Sequence, residues 1–434
     1  MRAVVFDSFG QAPALRQVPD PTAPADGVVV QVEATGLCRS DWHGWAGHDP
    51  GIALPHVPGH EFVGRVVARG THVRRVQVGD RIITPFVCGC GSCPQCASGN
   101  AQVCPNQTQP GFTHWGSYAE RVVVRNADFN AITVAADLDP VGLVSLGCRF
   151  ATSFRALHQR AQVRPGERVA VFGAGGVGLS AVMIAAALGA EVVAVDVSAA
   201  ALDLARQAGA HHVVQVPAHR GAGSAPGTDA ETDGSQAPTT SGSPQVEQPP
   251  AKVAGPTTSG SPQVERPPEK VAGPTTQAPG AGDSPQEVAE QVRRFGPVHV
   301  TVEALGNHHT AAAALWTLAP RGRHVQIGLF PTDPVLPIGR VIADEIAVLG
   351  SHGMAAADYQ PMLDLIGAGR LRPADLVTRR LSLAEAPQAL MAIADRPHPG
   401  MTVILPAAPA PEGAGSRGDG DGRTTARRPA EPGW

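Results

Sequence analysis

The sequence predicts an α/β plus β protein: a mostly β unit, then a βαβ alternation, with two additions that do not read as folded. Three observations carry this. Residues 1 to about 148 hold short strand-like runs punctuated by Gly and Pro, the pattern of a β-rich domain. From Arg168 onward apolar runs and helical periods alternate, as parallel strands and their crossover helices do. Gly and Pro number 50 and 41 in 434 residues, so the chain is either dense in tight turns or partly without a core.

In chain order, residues 1–10 (MRAVVFDSFG) read as a strand without the charged, apolar and small-residue stretches of a secretion signal, so a cytoplasmic protein is expected. Strands follow at 28–32, 62–68, 81–84 and 119–124. The alternation then runs strand 169–172, helix 177–188, strand 192–196, helix 199–208 and, as the second strand region, 213–216. It resumes with strand 299–303, a helix around 310–318 and strand 324–328.

Between the two halves, residues 218–285 hold 12 Pro and 10 Gly and no Phe, Tyr or Trp. Residues 239–256 recur as 257–274 with two differences, an 18-residue duplication. Such a stretch cannot bury enough apolar surface to offset its ordering entropy, so a disordered insertion at a surface connection is expected. Residues 406–434 have a similar composition and are expected to be a disordered tail. No PxxP register accompanies Pro249 and Pro250, which argues against a Pro-rich docking site.

A net charge of −4 without a basic stripe excludes the electrostatic footprint of a nucleic-acid binder. Lysine occurs only at Lys252 and Lys270, inside the duplication, which removes Schiff-base and phosphate-loop lysines from the folded part. The uncharged run 169–190 has the length of a membrane span, but it carries five glycines and a strand-turn-helix pattern, so no membrane segment is expected.

Seven cysteines without a secretion signal read first as metal ligands. Cys90, Cys93, Cys96 and Cys104 fall within 15 residues, a spacing suited to a closed four-sulfur zinc site; Cys88 is left over as a small core residue. Cys38, His60, Glu61 and Cys148 form a dispersed set of the kind an open zinc site uses, but spacing does not join them. The run FGAGGVG, with Gly173, Gly175, Gly176, Val177 and Gly178, follows a strand and opens a helix, and Asp196 ends the next strand 23 residues beyond Gly173. That is a dinucleotide turn, with Asp196 placed for a ribose diol and set against a 2′-phosphate, so NAD is favoured over NADP.

Together these motifs resemble the zinc-dependent alcohol dehydrogenases of the medium-chain dehydrogenase/reductase family, over nearly the whole chain apart from insertion and tail. The resemblance implies a GroES-like β-barrel catalytic domain (1–149), a Rossmann NAD-binding domain (150–350), a return to the first domain (351–405), and a dimer or tetramer. It implies Cys38, His60 and Cys148 as catalytic zinc ligands with Glu61 adjacent, two zinc ions per chain, and Ser40 and His43 as a proton relay. It also implies Asp41 behind the ligand histidine, Arg39 at the coenzyme pyrophosphate, and Thr152 and Val177 beside the nicotinamide. Phe86 matches an aromatic wall of the substrate pocket, with Trp42, Trp45, His114 and Trp115 as further pocket candidates by neighbourhood. The implied reaction is reversible oxidation of an alcohol to an aldehyde or ketone. Ala199, Ala200 and Ala201 stand where the family often has a basic contact to the adenosine ribose. A non-catalytic NAD-binding protein and a zinc-independent quinone reductase are the rival readings, both disfavoured by the joint presence of Cys38, Ser40, His43, His60 and Cys148.

Overall fold

The computed structural model describes residues 1–217 and 283–407. The 18-residue duplication and nearly all of the expected tail lie outside these residues, and the described ones form one compact unit.

β1 (Arg2–Val5) and β2 (Ala14–Gln17) pair antiparallel. β3 (Val28–Leu37), β4 (Phe62–Arg69), β5 (Arg81–Ile83), β6 (Arg121–Val124) and β7 (Ile132–Thr133) build the first large sheet. Val28, Val30 and Val32 of β3 pack with Phe62, Val66, Ile82, Val122 and Val124, while Ala34, past a register irregularity in the β3–β4 pairing after Val32, joins Val63 and Ile83 in the main core. Two strands from the far end of the chain complete this sheet, β15 (Met401–Leu405) lying antiparallel to β3 and β14 (Val377–Ser382) parallel to β15.

The second sheet is parallel throughout, in the order β10-β9-β8-β11-β12-β13. Its strands are β8 (Arg168–Phe172), β9 (Glu191–Asp196), β10 (His212–Gln215), β11 (Val298–Glu303), β12 (Leu318–Gln326) and β13 (Ala347–Gly350). On β8, Val169 and Val171 face a core shared with Leu179, Val182 and Ile184 of the helix Gly176–Ala187; Ala170 and Phe172 face the other side with Ala313, Ala314 and Leu315. Helices on both faces leave β8 nothing but apolar neighbours, hence its continuous apolar run. The strand order turns between β8 and β11, and ligands of such sheets bind beyond the carboxyl ends of the strands at that point. These two sheets are a GroES-like domain and a Rossmann-like domain. Among the described residues no helix is long and apolar enough to cross a membrane; the uncharged run is β8, a turn and a buried helix.

Three expectations need correction. Strand β10 is the third strand of its half, not the second, because β8 and β9 precede it. Pro285, assigned to the insertion by composition, opens the helix Pro285–Arg293, where Ser284 and Glu287 form a reciprocal capping box. Residues 140–148, expected to lie at the end of a β unit, are helical, and the helical run continues to 160: Pro140–Leu143, Val144–Gly147, Arg149–Phe154 and Arg155–Arg160. Leu146, Phe150, Phe154 and Leu157 are fully buried there, and only the last turn, with His158 and Arg160, is exposed, so most of the run lacks the polar face that would mark a helical period.

Candidate metal and nucleotide site

The pairing of Thr35 on β3 with Phe62 on β4 sets the site. Just past β3, Cys38 is the N-terminal cap of the helix Arg39–Trp45; just before β4 come His60 and Glu61. Ligand atoms of Cys38, His60 and Glu61 therefore lie within 4.8 Å of one another, all three residues buried. Cys148 caps the start of the helix Arg149–Phe154, and its thiol interacts with that of Cys38. That interaction holds the Cys38 thiol well below its ordinary pKa and Cys148 well above.

His60 Nδ1 pairs with Asp41 Oδ1 at 2.8 Å. Asp41 is itself fixed, accepting from Gly59 N (3.0 Å), Cys38 N (3.1 Å) and the Tyr118 hydroxyl (2.9 Å). Burial opposes a charge on His60, and Asp41 outweighs it, raising the pKa above the ordinary imidazole value. The other ring nitrogen, His60 Nε2, is buried and has no hydrogen-bond partner. An orphaned imidazole nitrogen among two thiols is costly unless an ion occupies the gap. Two sulfurs and one nitrogen fit zinc with one position left open.

Glu61, within the same group, is also paired with Arg149. Its Oε1 accepts from Arg149 N (2.8 Å) and Nε (3.0 Å), and its Oε2 from Nε (2.9 Å) and Nη2 (2.6 Å). Burial raises the Glu61 pKa while Arg149 opposes the rise. The Arg149 side chain continues to the nucleotide turn, where a Cβ on Gly176 would stand 2.7 Å from its Cδ. One guanidinium thus links the metal site to the start of the Rossmann helix.

Cys90, Cys93, Cys96 and Cys104 present sulfurs within 4.8 Å of one another, with Cys93 and Cys104 sulfurs 3.6 Å apart. A zinc tetrahedron with Zn–S near 2.3 Å has an edge of about 3.8 Å. Hydrogen bonds from the backbone and side chain of Ser92 pull Cys90 down to about 5, whereas burial pushes Cys96 up to about 12. Cys88 stays outside the group, buried and likewise pushed to about 12.

At the nucleotide turn, Gly173 has φ +94°, and a Cβ on Gly178 would lie 1.6 Å from the Gly173 carbonyl oxygen. Gly175 is open, with nothing within 4 Å of a built Cβ. Asp196 Oδ2 accepts from Ala174 N at 2.6 Å, tying the end of β9 to the turn. Val177 O accepts from Ser153 Oγ at 2.8 Å, and Thr152, buried, donates its N–H to Cys148 O at 2.8 Å, so the metal-site helix and the nucleotide helix are stitched together.

The remaining expected residues divide. Ser40 Oγ lies 3.8 Å from Cys38 Sγ; His43 pairs with His48, Nδ1 to Nδ1, at 2.9 Å rather than with Ser40. Arg39 is exposed at the start of its helix. Phe86 meets His60 with ring centroids 6.0 Å apart, as a wall would. Trp42 and Trp45 pack on the β1 core, Trp42 also edge-on to His43. Trp115 and His114 line a cavity of about 490 Å³ with Met1, Pro19 and Arg121, and Trp115 packs on the same β1 core as Trp42 and Trp45. Phe112, with its ring 5.3 Å from His60, and His352, 5.1 Å from Phe86, are aromatic neighbours that the sequence did not reveal. Tyr118 and Arg149 were likewise missed, although Arg149 directly follows Cys148.

A β-rich domain with a sulfur and imidazole pocket, joined to a parallel sheet with a glycine turn at its switch point, defines an oxidoreductase of the dehydrogenase class. The chain belongs to the zinc-type medium-chain dehydrogenase/reductase family. Residues 24–135 match the alcohol dehydrogenase GroES-like domain, and residues 176–234 and 277–368 match the zinc-binding dehydrogenase domain. An alcohol dehydrogenase of Geobacillus stearothermophilus is 29% identical over 86% of this chain and 90% of its own length. An NAD-dependent alcohol dehydrogenase of Sulfurisphaera tokodaii is 26% identical over 94% of this chain and its entire length. Among solved structures, the alcohol dehydrogenase TADH from Thermus sp. ATN1 superposes with a TM-score of 0.70 at 25% identity, covering 93% of this chain and 99% of its own.

Proposed function

We propose that this chain is a zinc-dependent, NAD-linked alcohol dehydrogenase, acting on a small alcohol or, in reverse, an aldehyde or ketone. The observation that carries the reading is His60 Nε2, buried without a hydrogen-bond partner within 4.8 Å of the Cys38 sulfur, with Asp41 behind the ring and Cys148 beside Cys38. Zinc held there would supply a Lewis acid for the alcohol oxygen, and NAD held at the glycine turn would supply the hydride acceptor.

The chain's own residues do the rest. Asp41 holds the His60 tautomer so that Nε2 points its lone pair into the pocket. Phe86 and Phe112 wall the pocket and exclude water around His60. Ser40, beside Cys38, is the group nearest the metal that can pass on a hydroxyl proton, and His43 receives it at the surface side. Burial lowers the His43 pKa, with Arg39 and His48 adding to it, so the ring is neutral and ready to accept a proton at neutral pH. Gly173, Gly175, Gly176 and Gly178 let the coenzyme pyrophosphate approach the helix start, with Val177 and Thr152 at the nicotinamide side and Arg39 at the pyrophosphate. Asp196 selects NAD by repelling a 2′-phosphate. Cys90, Cys93, Cys96 and Cys104 hold a second, structural zinc. We also read the protein as cytoplasmic and as a homo-oligomer. Among the described residues β13 ends the parallel sheet, and Val335, Ile338 and Ile342, shortly before it in the chain, are exposed, which suits a second copy. The test is zinc content together with alcohol-dependent NADH formation: about two zinc per chain and turnover support the reading, and metal-loaded protein that reduces NAD with no alcohol overturns it.

A further inference from the structure

A cavity of about 530 Å³ lies next to the metal pocket and is built differently from it. Two short chains of contact connect them. His352, on its wall, stacks edge-on against Phe86, which meets His60; Ser351, also on its wall, approaches Thr152 O at 3.5 Å, and Thr152 bonds back to Cys148. Thr152 and Arg155 follow Cys148 at i+4 and i+7, so they share one helix face, and Arg155 stands about 10 Å farther along the axis.

Arg155 is half-buried in the cavity wall and makes no hydrogen bond or ion pair among the described residues. Arg160 lies beside it, spending only Nε on the Gly350 carbonyl at 3.0 Å. Burial and the charge of Arg160 both disfavour the Arg155 cation, and Asp358 opposes them without reaching ion-pair distance. Two guanidiniums facing one cavity with no carboxylate on them are a favourable arrangement for an anion.

We propose that this cavity recognises the far end of the substrate, and that the end is anionic: the alcohol is a hydroxy acid, or a phosphorylated alcohol, whose oxygen goes to the metal and whose charged group goes to Arg155 and Arg160. This rests on the dehydrogenase reading and narrows it to a substrate class. The bonds formed are two charge-assisted hydrogen bonds, and no chemistry occurs at the arginines.

The experiment compares ω-hydroxycarboxylates with primary alcohols of equal length, over short to long chains, with NAD as acceptor. In the unaltered protein kcat/KM favours the hydroxy acid at the matching length by at least about tenfold, and raised salt erodes the preference. Arg155→Gln and, separately, Arg160→Gln cut that preference ratio by about tenfold, mainly through KM, and Arg155→Lys keeps part of it. Preference for neutral alcohols in the unaltered protein overturns the proposal, and that arm needs no variant. So does a ratio unmoved in the variants, or a rise in KM for NAD shared by every substrate, which would give the arginines to a coenzyme phosphate. If neither class is oxidised, the dehydrogenase reading fails and takes this inference with it; if only the neutral alcohols are, the reading stands and the inference falls.

Discussion

Asp41 Oδ1 stands 2.8 Å from His60 Nδ1, and both side chains are buried. The contact fixes which imidazole nitrogen faces the thiols. In Asp41→Asn the amide keeps the shape but sets an N–H donor against neighbours that all donate. Zinc affinity at the Cys38 site is expected to fall about 10–100-fold. Titration with a chelator, followed by metal analysis, should show one zinc lost early and the four-cysteine zinc retained. Equal retention of both would contradict the assignment.

The buried pair of Glu61 and Arg149 gives a stability prediction. Removing one partner strands the other's charge, at a cost of about 3–5 kcal/mol. Arg149→Met should lower the urea midpoint accordingly, while Glu61→Gln/Arg149→Met, which removes both charges, should recover much of the loss. A single variant as stable as the parent would show that the pair contributes nothing.

The glycine turn separates packing from binding. Gly178→Ala drives a methyl against the Gly173 carbonyl and should unfold the turn, lowering Tm and abolishing NAD binding. Gly175→Ala has open space and an ordinary φ of −77°, so Tm should hold while the Kd for NAD rises about tenfold, because a methyl then fills the approach of the pyrophosphate. An unchanged Kd in Gly175→Ala would place the coenzyme elsewhere.

Buried histidines set the acid side of stability. Burial lowers His114 and His324 to about 4 each, against about 6.5 in the unfolded chain. The unfolded state therefore takes up protons first as pH falls, so stability is complete above about pH 6.5 and declines from there to about pH 4, where the loss levels off. His324→Gln should flatten the urea-midpoint curve across that window relative to the parent. Parallel curves would mean that His324 does not titrate as its burial requires.

How much of this was legible in the sequence follows from distance along the chain. The four cysteines from Cys90 to Cys104 and the turn from Gly173 to Gly178 are local, and their spacing carries their geometry. Cys38 and Cys148 are 110 residues apart, and the link between them exists only through the pairing of β3 with β4 and the docking of the following helix. Resemblance named that set; periodicity could not. The helical run 140–160 was invisible because most of it, from Val141 to Phe154, is buried with no regular polar face, and Arg149 because a buried arginine is intelligible only beside its partner Glu61. Trp115 has a partner that adjacency in sequence did not foretell: its indole Nε1 donates to Pro55 O at 2.9 Å, 60 residues away.

The central claim is that Cys38, His60 and Cys148 hold a zinc ion on which alcohol oxidation depends, and metal analysis paired with NADH formation tests it most directly in the unaltered protein and in Cys148→Ala. The account predicts about two zinc per chain with turnover in the parent, and about one zinc with activity lost in the variant, the Cys90 to Cys104 site remaining filled. Full metal content and undiminished NADH formation in Cys148→Ala would contradict it.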